Sequence, residues 1–192
     1  MCIRDRNNFL DGEWAYDKFL FAIHHTFRRK ALGKTTYRLE AGLINNAIPY
    51  TKLYTGFGLG AGYRASSLGI SQGFQTMGIY EFISDRFVSL FFKQDFGTLL
   101  MKSNRFRPNI ILEHNLSFGS LQQPELHQNV EFKTLEKGFF EAGLILENLI
   151  RVKYLNMAYI GLGAGMYYRY GPNQNELFRD NVAWGLKISV SY

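Results

Sequence analysis

From residue 181 to 192 the chain alternates without a break, with Val182, Trp184, Leu186, Ile188, Val190 and Tyr192 on one parity and Ala183, Gly185, Lys187, Ser189 and Ser191 on the other. A side-chain period of two belongs to an extended strand. One face of this strand is wholly apolar and the other is small or polar, so it requires two different surroundings. Acyl chains on one side and a lumen on the other meet that requirement, and so does a soluble barrel with the apolar face turned inward.

The same alternation recurs along the chain. In 15–29, Phe19, Phe21, Ile23 and Phe27 oppose Lys18, Ala22, His24 and Thr26, and in 35–45, Tyr37, Leu39, Ala41 and Leu43 oppose Arg38, Glu40 and Gly42. Further strands are expected over 86–101, 106–118, 138–148 and 155–168, with Lys93, Asp95, Glu113, Asn115, Glu141 and Glu147 always on the parity opposite the apolar residues. An Arg or Lys facing lipid at mid-membrane costs about 2–4 kcal/mol, so in a membrane these charges face a lumen. The connections alternate between short (29–34, 102–105, 149–154) and long (46–85, 119–137, 170–180). Outer-membrane barrels show this asymmetry, with short periplasmic turns and longer outside loops. The long 46–85 stretch contains the run Gly56 to Tyr63, read as an extra strand or a Gly-rich loop; connections of that length carry function or fold inward.

The expectation is an all-β fold, an antiparallel up-and-down transmembrane β-barrel that is incomplete, with about seven or eight strands of a larger barrel. Residues 15–192 form the C-terminal part of that barrel, and 1–14 are read as a truncated or artefactual segment without structural weight. Val182, Trp184, Leu186, Ile188, Val190 and Tyr192 are the membrane-facing residues of the last strand.

Composition agrees with strands: aromatic residues make up 16% of the chain, with 19 Gly and only 4 Pro. No uncharged run reaches the roughly 18–20 residues of a transmembrane helix. The mean hydropathy of −0.16 hides the alternation, because the two faces cancel. A net charge of +6 raises nucleic acid as a partner, yet no basic stripe is interleaved with stacking aromatics, and no nucleic-acid partner is expected. Cys2 is the only cysteine, which excludes a disulfide framework and a thiolate metal site within the chain. No Asp, Glu or His cluster has metal-ligand spacing, and no metal or cofactor is expected.

Arg28, Arg29, Lys30, Lys34, Lys102, Arg105, Arg107, Arg151 and Lys153 gather at the short turns, either as an electropositive mouth or as solvated charge beside head groups. A barrel-borne hydrolase needs a nucleophile, a base and an orienting group in one place. Parity sends His25 and His114 toward lipid and His24 inward, and no catalytic residue is assigned. Gly161, Gly163 and Gly165 share one face; their spacing is too tight for a dinucleotide loop, and they let a loop or plug approach the wall. Glu81, Asp85 and Arg86 stand where the long connection enters a strand, so a carboxylate–guanidinium pair there is a candidate latch holding the loop over or into the lumen.

Three stretches carry more than barrel periodicity: Gly42-Leu43-Ile44-Asn45-Asn46-Ala47-Ile48-Pro49-Tyr50, Tyr80-Glu81-Phe82-Ile83-Ser84-Asp85-Arg86-Phe87, and Lys137-Gly138-Phe139-Phe140-Glu141-Ala142-Gly143-Leu144. With Tyr168-Arg169-Tyr170-Gly171 and Asp180-Asn181, they resemble the C-terminal region of a family of Gram-negative outer-membrane barrels of unknown function. Members of that family carry a signal peptide and a carboxypeptidase-regulatory-like β-sandwich ahead of the barrel. The chain's final aromatic also resembles the closing strand of such barrels. The resemblance implies location in the outer membrane, with the lipid bilayer, lipopolysaccharide and the barrel assembly machinery as partners, a surface, transport or assembly role, and no peptidase activity. The rival readings are a soluble lipocalin-like ligand-binding barrel and an outer-membrane hydrolase using His24.

Overall fold

The computed structural model describes residues 2–5, 16–30, 32–46, 48–59, 73–98, 107–127, 131–154 and 157–191. The strands are β1 (Cys2–Asp5), β2 (Tyr16–Arg29), β3 (Gly33–Asn45), β4 (Tyr54–Thr55), β5 (Ile83–Ser84), β6 (Arg86–Asp95), β7 (Asn109–Ser120), β8 (Phe139–Tyr154), β9 (Ala158–Tyr170) and β10 (Val182–Ser191). Apart from the small β4–β5 pair, they make one sheet in the order β1-β2-β3-β6-β7-β8-β9-β10, with every neighbouring pair antiparallel. The protein is therefore all-β, with an up-and-down sheet of seven long strands and the four-residue β1 on its edge. The sheet is not closed into a barrel, and β1 and β10 are its two edges.

Four features differ from the sequence expectation. Residues 2–5, given no structural weight, pair with Tyr16 to Phe19. The third long strand stops at Asp95 rather than running to residue 101, where Asp95 Oδ1 accepts a bond from Gly97 N at 2.8 Å. The fifth runs on to Tyr154 through the stretch read as a short connection. That continuation crosses a bulge, because Leu146 pairs with Ala164 and Ile150 with Leu162, so three residues on β8 oppose Gly163 alone. Asn148 takes φ of 55° there, a left-handed conformation that Asn tolerates better than most residues. The expected tight turn at 102–105 lies outside the described residues, as do residues 60–63 of the Gly-rich run.

Gly33 turns β2 into β3 with φ of 82°, and a Cβ on it would stand 2.1 Å from the Asp95 carbonyl oxygen. Only glycine meets both conditions at this turn.

The two faces of the sheet differ sharply. Residues of the apolar parity lie on the open face: Trp184 is 56% exposed, Ile188 64%, Leu162 44% and Leu144 44%. Phe21, Val88, Phe92, Leu112, Phe118, Ile150, Val152, Met166, Leu186 and Val190 share it and are exposed as well. The opposite face is covered by the connection between β3 and β6. Ile48, Leu53, Tyr54 and Ile83 of that connection pack with Tyr16, Ile44, Phe87 and Leu121, while Phe74, Met77 and Phe82 pack with Phe91, Leu135 and Phe139. The hydrophobic core thus lies between a loop and the polar face of the sheet. Each fully buried apolar side chain contributes about 1.5–3 kcal/mol, so the loop is a fixed layer of the fold.

Candidate functional site: the loop-covered face of the sheet

Strand pairing sets a row of side chains across the covered face. His24 of β2 stands beside Arg38, Arg38 beside Phe91, Phe91 beside Asn115, Asn115 beside Glu141 and Glu141 beside Arg169. The next row carries Thr26, Thr36, Lys93, Glu113, Gly143 and Tyr167 by the same pairings. Charges at alternate positions therefore converge on one surface, as the parity of the sequence requires.

Two fastenings tie the connecting loop to this wall. Arg169, fully buried, donates from both terminal nitrogens to Glu81 on the loop, at 2.9 and 3.1 Å. A bidentate pair of this kind fixes orientation as well as charge. Its guanidinium also lies 4.7 Å from the centre of the Phe139 ring, a favourable cation–π arrangement. Glu81 further accepts from Lys133 Nζ at 3.0 Å and from the backbone N–H of Gly78 at 2.8 Å. Burial alone would raise its pKa, but the hydrogen bonds from Arg169, Gly78 and Lys133 outweigh that and hold the carboxyl below its ordinary range. The second fastening has the reverse polarity. Glu141 on the wall, fully buried, accepts from the Thr76 backbone N–H at 2.6 Å, the Thr76 hydroxyl at 2.7 Å and Asn115 Nδ2 at 3.0 Å.

Beside the loop, a cavity of about 250 Å3 is lined by His24, Thr36, Arg38, Lys93, Glu113 and Asn115, among others. Its charges are paired within the wall: Lys93 Nζ lies 3.0 Å from Glu113 Oε1, the Tyr167 hydroxyl donates to Glu113 Oε2 at 2.8 Å, and Arg38 Nε lies 3.3 Å from Glu40 Oε1. Among the described residues, no group of three His, Cys, Asp or Glu side chains could hold a metal ion.

The candidate latch residues divide. Glu81 pairs with Arg169, 88 positions along the chain, while Arg86 is exposed and its Nε lies 3.5 Å from Asp85 Oδ1. Asp85 Oδ2 accepts the Gln122 backbone N–H at 2.8 Å. Of the six residues assigned to the membrane side of the last strand, Trp184, Leu186, Ile188 and Val190 are exposed and Val182 is half-buried; Tyr192 lies outside the described residues. His24 lines the cavity, whereas His114, of the opposite parity, meets the Tyr170 hydroxyl at 2.6 Å. Of the basic residues expected at turns, Arg151 and Lys153 lie within β8, and Lys102 and Arg105 lie outside the described residues. Gly161 and Gly163 face the β8 bulge rather than the loop: a Cβ on Gly161 would stand 2.0 Å from Asn148 Oδ1, and one on Gly163 2.4 Å from the Leu146 carbonyl oxygen.

Thr76 and Lys133 were not singled out by sequence, and Arg169 entered only within the stretch 168–171, without a role. A charged residue on the small-residue parity of β9 is the signal that marks it as facing the wall's polar side. No family model, no curated protein and no solved structure matches this chain.

Proposed function

We propose that the chain is part of the wall of an outer-membrane β-barrel, with the connection between β3 and β6 folded against the lumen side as a fixed plug. The observation that carries this reading is the division of the sheet: a broad exposed apolar face behind a buried, ion-paired and loop-covered one. Soluble monomers rarely expose a continuous apolar patch beyond a few hundred Å2, whereas a barrel wall in lipid requires one. The long strands have 10 to 16 residues, enough for the roughly 9–11 that cross a bilayer at a tilt. Aromatic side chains sit toward both ends of the open face, Phe118 and Tyr170 each against Phe140 at one end and His25, Phe27 and Tyr37 at the other. Such belts suit the two membrane interfaces.

The unpaired edges support closure by further strands, since open sheet edges leave backbone groups unsatisfied in hydrocarbon. In an alternating series of seven strands, β2 and β10 run in the same direction. Direct closure of β10 on β2 would make a parallel pair, so an antiparallel barrel needs an odd number of additional strands, and β1 is positioned as the first of them. A lumen filled by its own connecting segment favours a surface or assembly role over free diffusion of solute. The bilayer, lipopolysaccharide and the barrel assembly machinery are the partners this reading requires. A soluble carrier of lipocalin type would need Trp184, Ile188, Leu162 and Leu144 inside, and their exposure weighs against it.

The test is insertion. Unfolded full chain diluted into phosphatidylcholine vesicles is expected to gain β-sheet circular dichroism and protease-protected fragments only when lipid is present. A monomer that folds in plain buffer and ignores vesicles would contradict the proposal.

A further inference from the structure

We propose that the loop end of the sheet holds a binding site for an uncharged, hydroxyl-rich ligand of the sugar class. The site goes beyond the membrane reading and does not depend on it. A cavity of about 330 Å3 lies where β3 ends, β6 begins and β7 ends, and its lining includes Asn46, Asp85, Gln122, Gln123 and His127 with Ile48, Leu53 and Leu121. That volume falls in the range of small-ligand pockets.

The framework is built around Asp85. Its backbone N–H donates to the Ser120 carbonyl at 3.0 Å, its carbonyl accepts from Ile44 N at 2.8 Å, and its Oδ2 accepts from Gln122 N at 2.8 Å. These bonds lock the ends of three elements together, so the backbone that carries the polar groups is fixed before any ligand arrives, which lowers the cost of binding. Asp85 Oδ2 is met by that backbone donor and Oδ1 lies 3.5 Å from Arg86 Nε, so a cation entering the site competes with Arg86. Among the described residues that line the cavity there is no Lys or Arg, and nothing there favours an anion.

What the lining offers is three carboxamides and an imidazole, each able to donate and accept. A hydroxyl also does both, and neighbouring hydroxyls on a ring present donors and acceptors together, which carboxamides match. Ile48, Leu53 and Leu121 are buried apolar residues behind these groups, suited to the C–H face of a sugar ring. Neither a charged solute nor a purely apolar one uses both halves of this lining.

The experiment is a calorimetric titration of the folded full chain with maltose and sucrose as neutral polyols, putrescine as an organic cation and inorganic phosphate as an anion. At least one sugar should bind saturably, with no phosphate binding and no competition from putrescine. Gln123→Leu, at an exposed position that packing does not need, should weaken the sugar about fivefold by removing one neutral hydrogen-bonding group. Asp85→Ala, which removes the acceptor for the Gln122 N–H, should weaken it at least as much. Absence of saturable sugar binding by the folded protein, displacement of sugar by putrescine, or unchanged affinity in both variants would overturn the site. Vesicle insertion measured on the same preparation separates this outcome from the fate of the barrel proposal: a chain that inserts and binds no sugar loses only the site.

Discussion

Phe27 and Trp184 stand on one row of paired residues across the sheet, although Phe27 lies near the end of β2 and Trp184 near the start of β10. The row runs from Phe27 through Thr35, Gln94, Leu112, Leu144 and Met166 to Trp184. The exposed apolar residues of β2 therefore occupy the rows on one side of this line, and those of β10 the rows on the other. A level apolar band across such a sheet requires strands inclined to the band, the tilt and stagger that the proposed barrel wall calls for.

The pairing of Glu81 with Arg169 sets the first prediction. Glu81→Gln leaves a buried guanidinium without its countercharge, a loss of about 3–5 kcal/mol. The loop between β3 and β6 should become sensitive to limited proteolysis while the strands stay protected. Adding Arg169→Met to Glu81→Gln should cost little more, since the two act as a unit. Arg86→Ala, at an exposed ion pair, should change stability by at most about 1 kcal/mol and leave loop cleavage unaltered.

Acid should loosen the same loop. The Glu81 carboxyl is held below its ordinary pKa, so its contribution is fully present above the unfolded value of about 4.3 and is lost as pH falls through the lower folded value. The Glu81 part of the loop's protease protection, read as the difference between the parent and Glu81→Gln, should be constant from neutral pH to about 5 and decline only below about 4. Glu81→Gln should abolish that part of the acid dependence. The buried apolar contacts of Phe74, Met77 and Phe82 involve no titratable group, so acid should raise the rate of loop opening without expelling the loop.

Gly161 and Ala164 of β9 give a contrast within one strand. Gly161→Ala drives a Cβ toward Asn148 Oδ1 and Ser189 Oγ, and overpacking of this kind costs about 1–3 kcal/mol. Ala164→Leu, on the exposed face, should stay within about 0.5 kcal/mol. Denaturant titration of the two variants checks the difference.

Leu162→Arg tests what surrounds the open face. In lipid at mid-membrane depth the change costs about 2–4 kcal/mol, whereas at a water-exposed position it would be close to neutral. Refolding yield into vesicles compared with the parent chain reads the difference directly.

Much of the sheet was legible in the sequence because parity is a local property. Val182 to Val190 names its own two faces, and the charges at 38, 93, 113 and 141 could occupy only the other one. The bulge opposite Gly163 was not legible, because Glu147, Asn148 and Leu149 interrupt an alternation that resumes in phase at Ile150, which reads as a turn. Glu81 was singled out in the sequence but its pairing with Arg169 was not, because a contact across 88 positions leaves no local trace. The loop's destination was likewise hidden: Phe74 and Phe82 become core only where Phe91 and Phe139 break the polar pattern of the wall.

The most direct test of the account is a nitroxide scan of β10 in vesicles, one spin label at a time from residue 183 to 190, read by collision with oxygen and with a water-soluble nickel chelate. The account predicts a period of two: labels at 184, 186, 188 and 190 accessible to oxygen and shielded from the chelate, and those at 183, 185, 187 and 189 shielded from oxygen. Labels at 184 and 188 reached freely by the chelate, or an inverted phase with 183 and 187 facing the acyl chains, would contradict it.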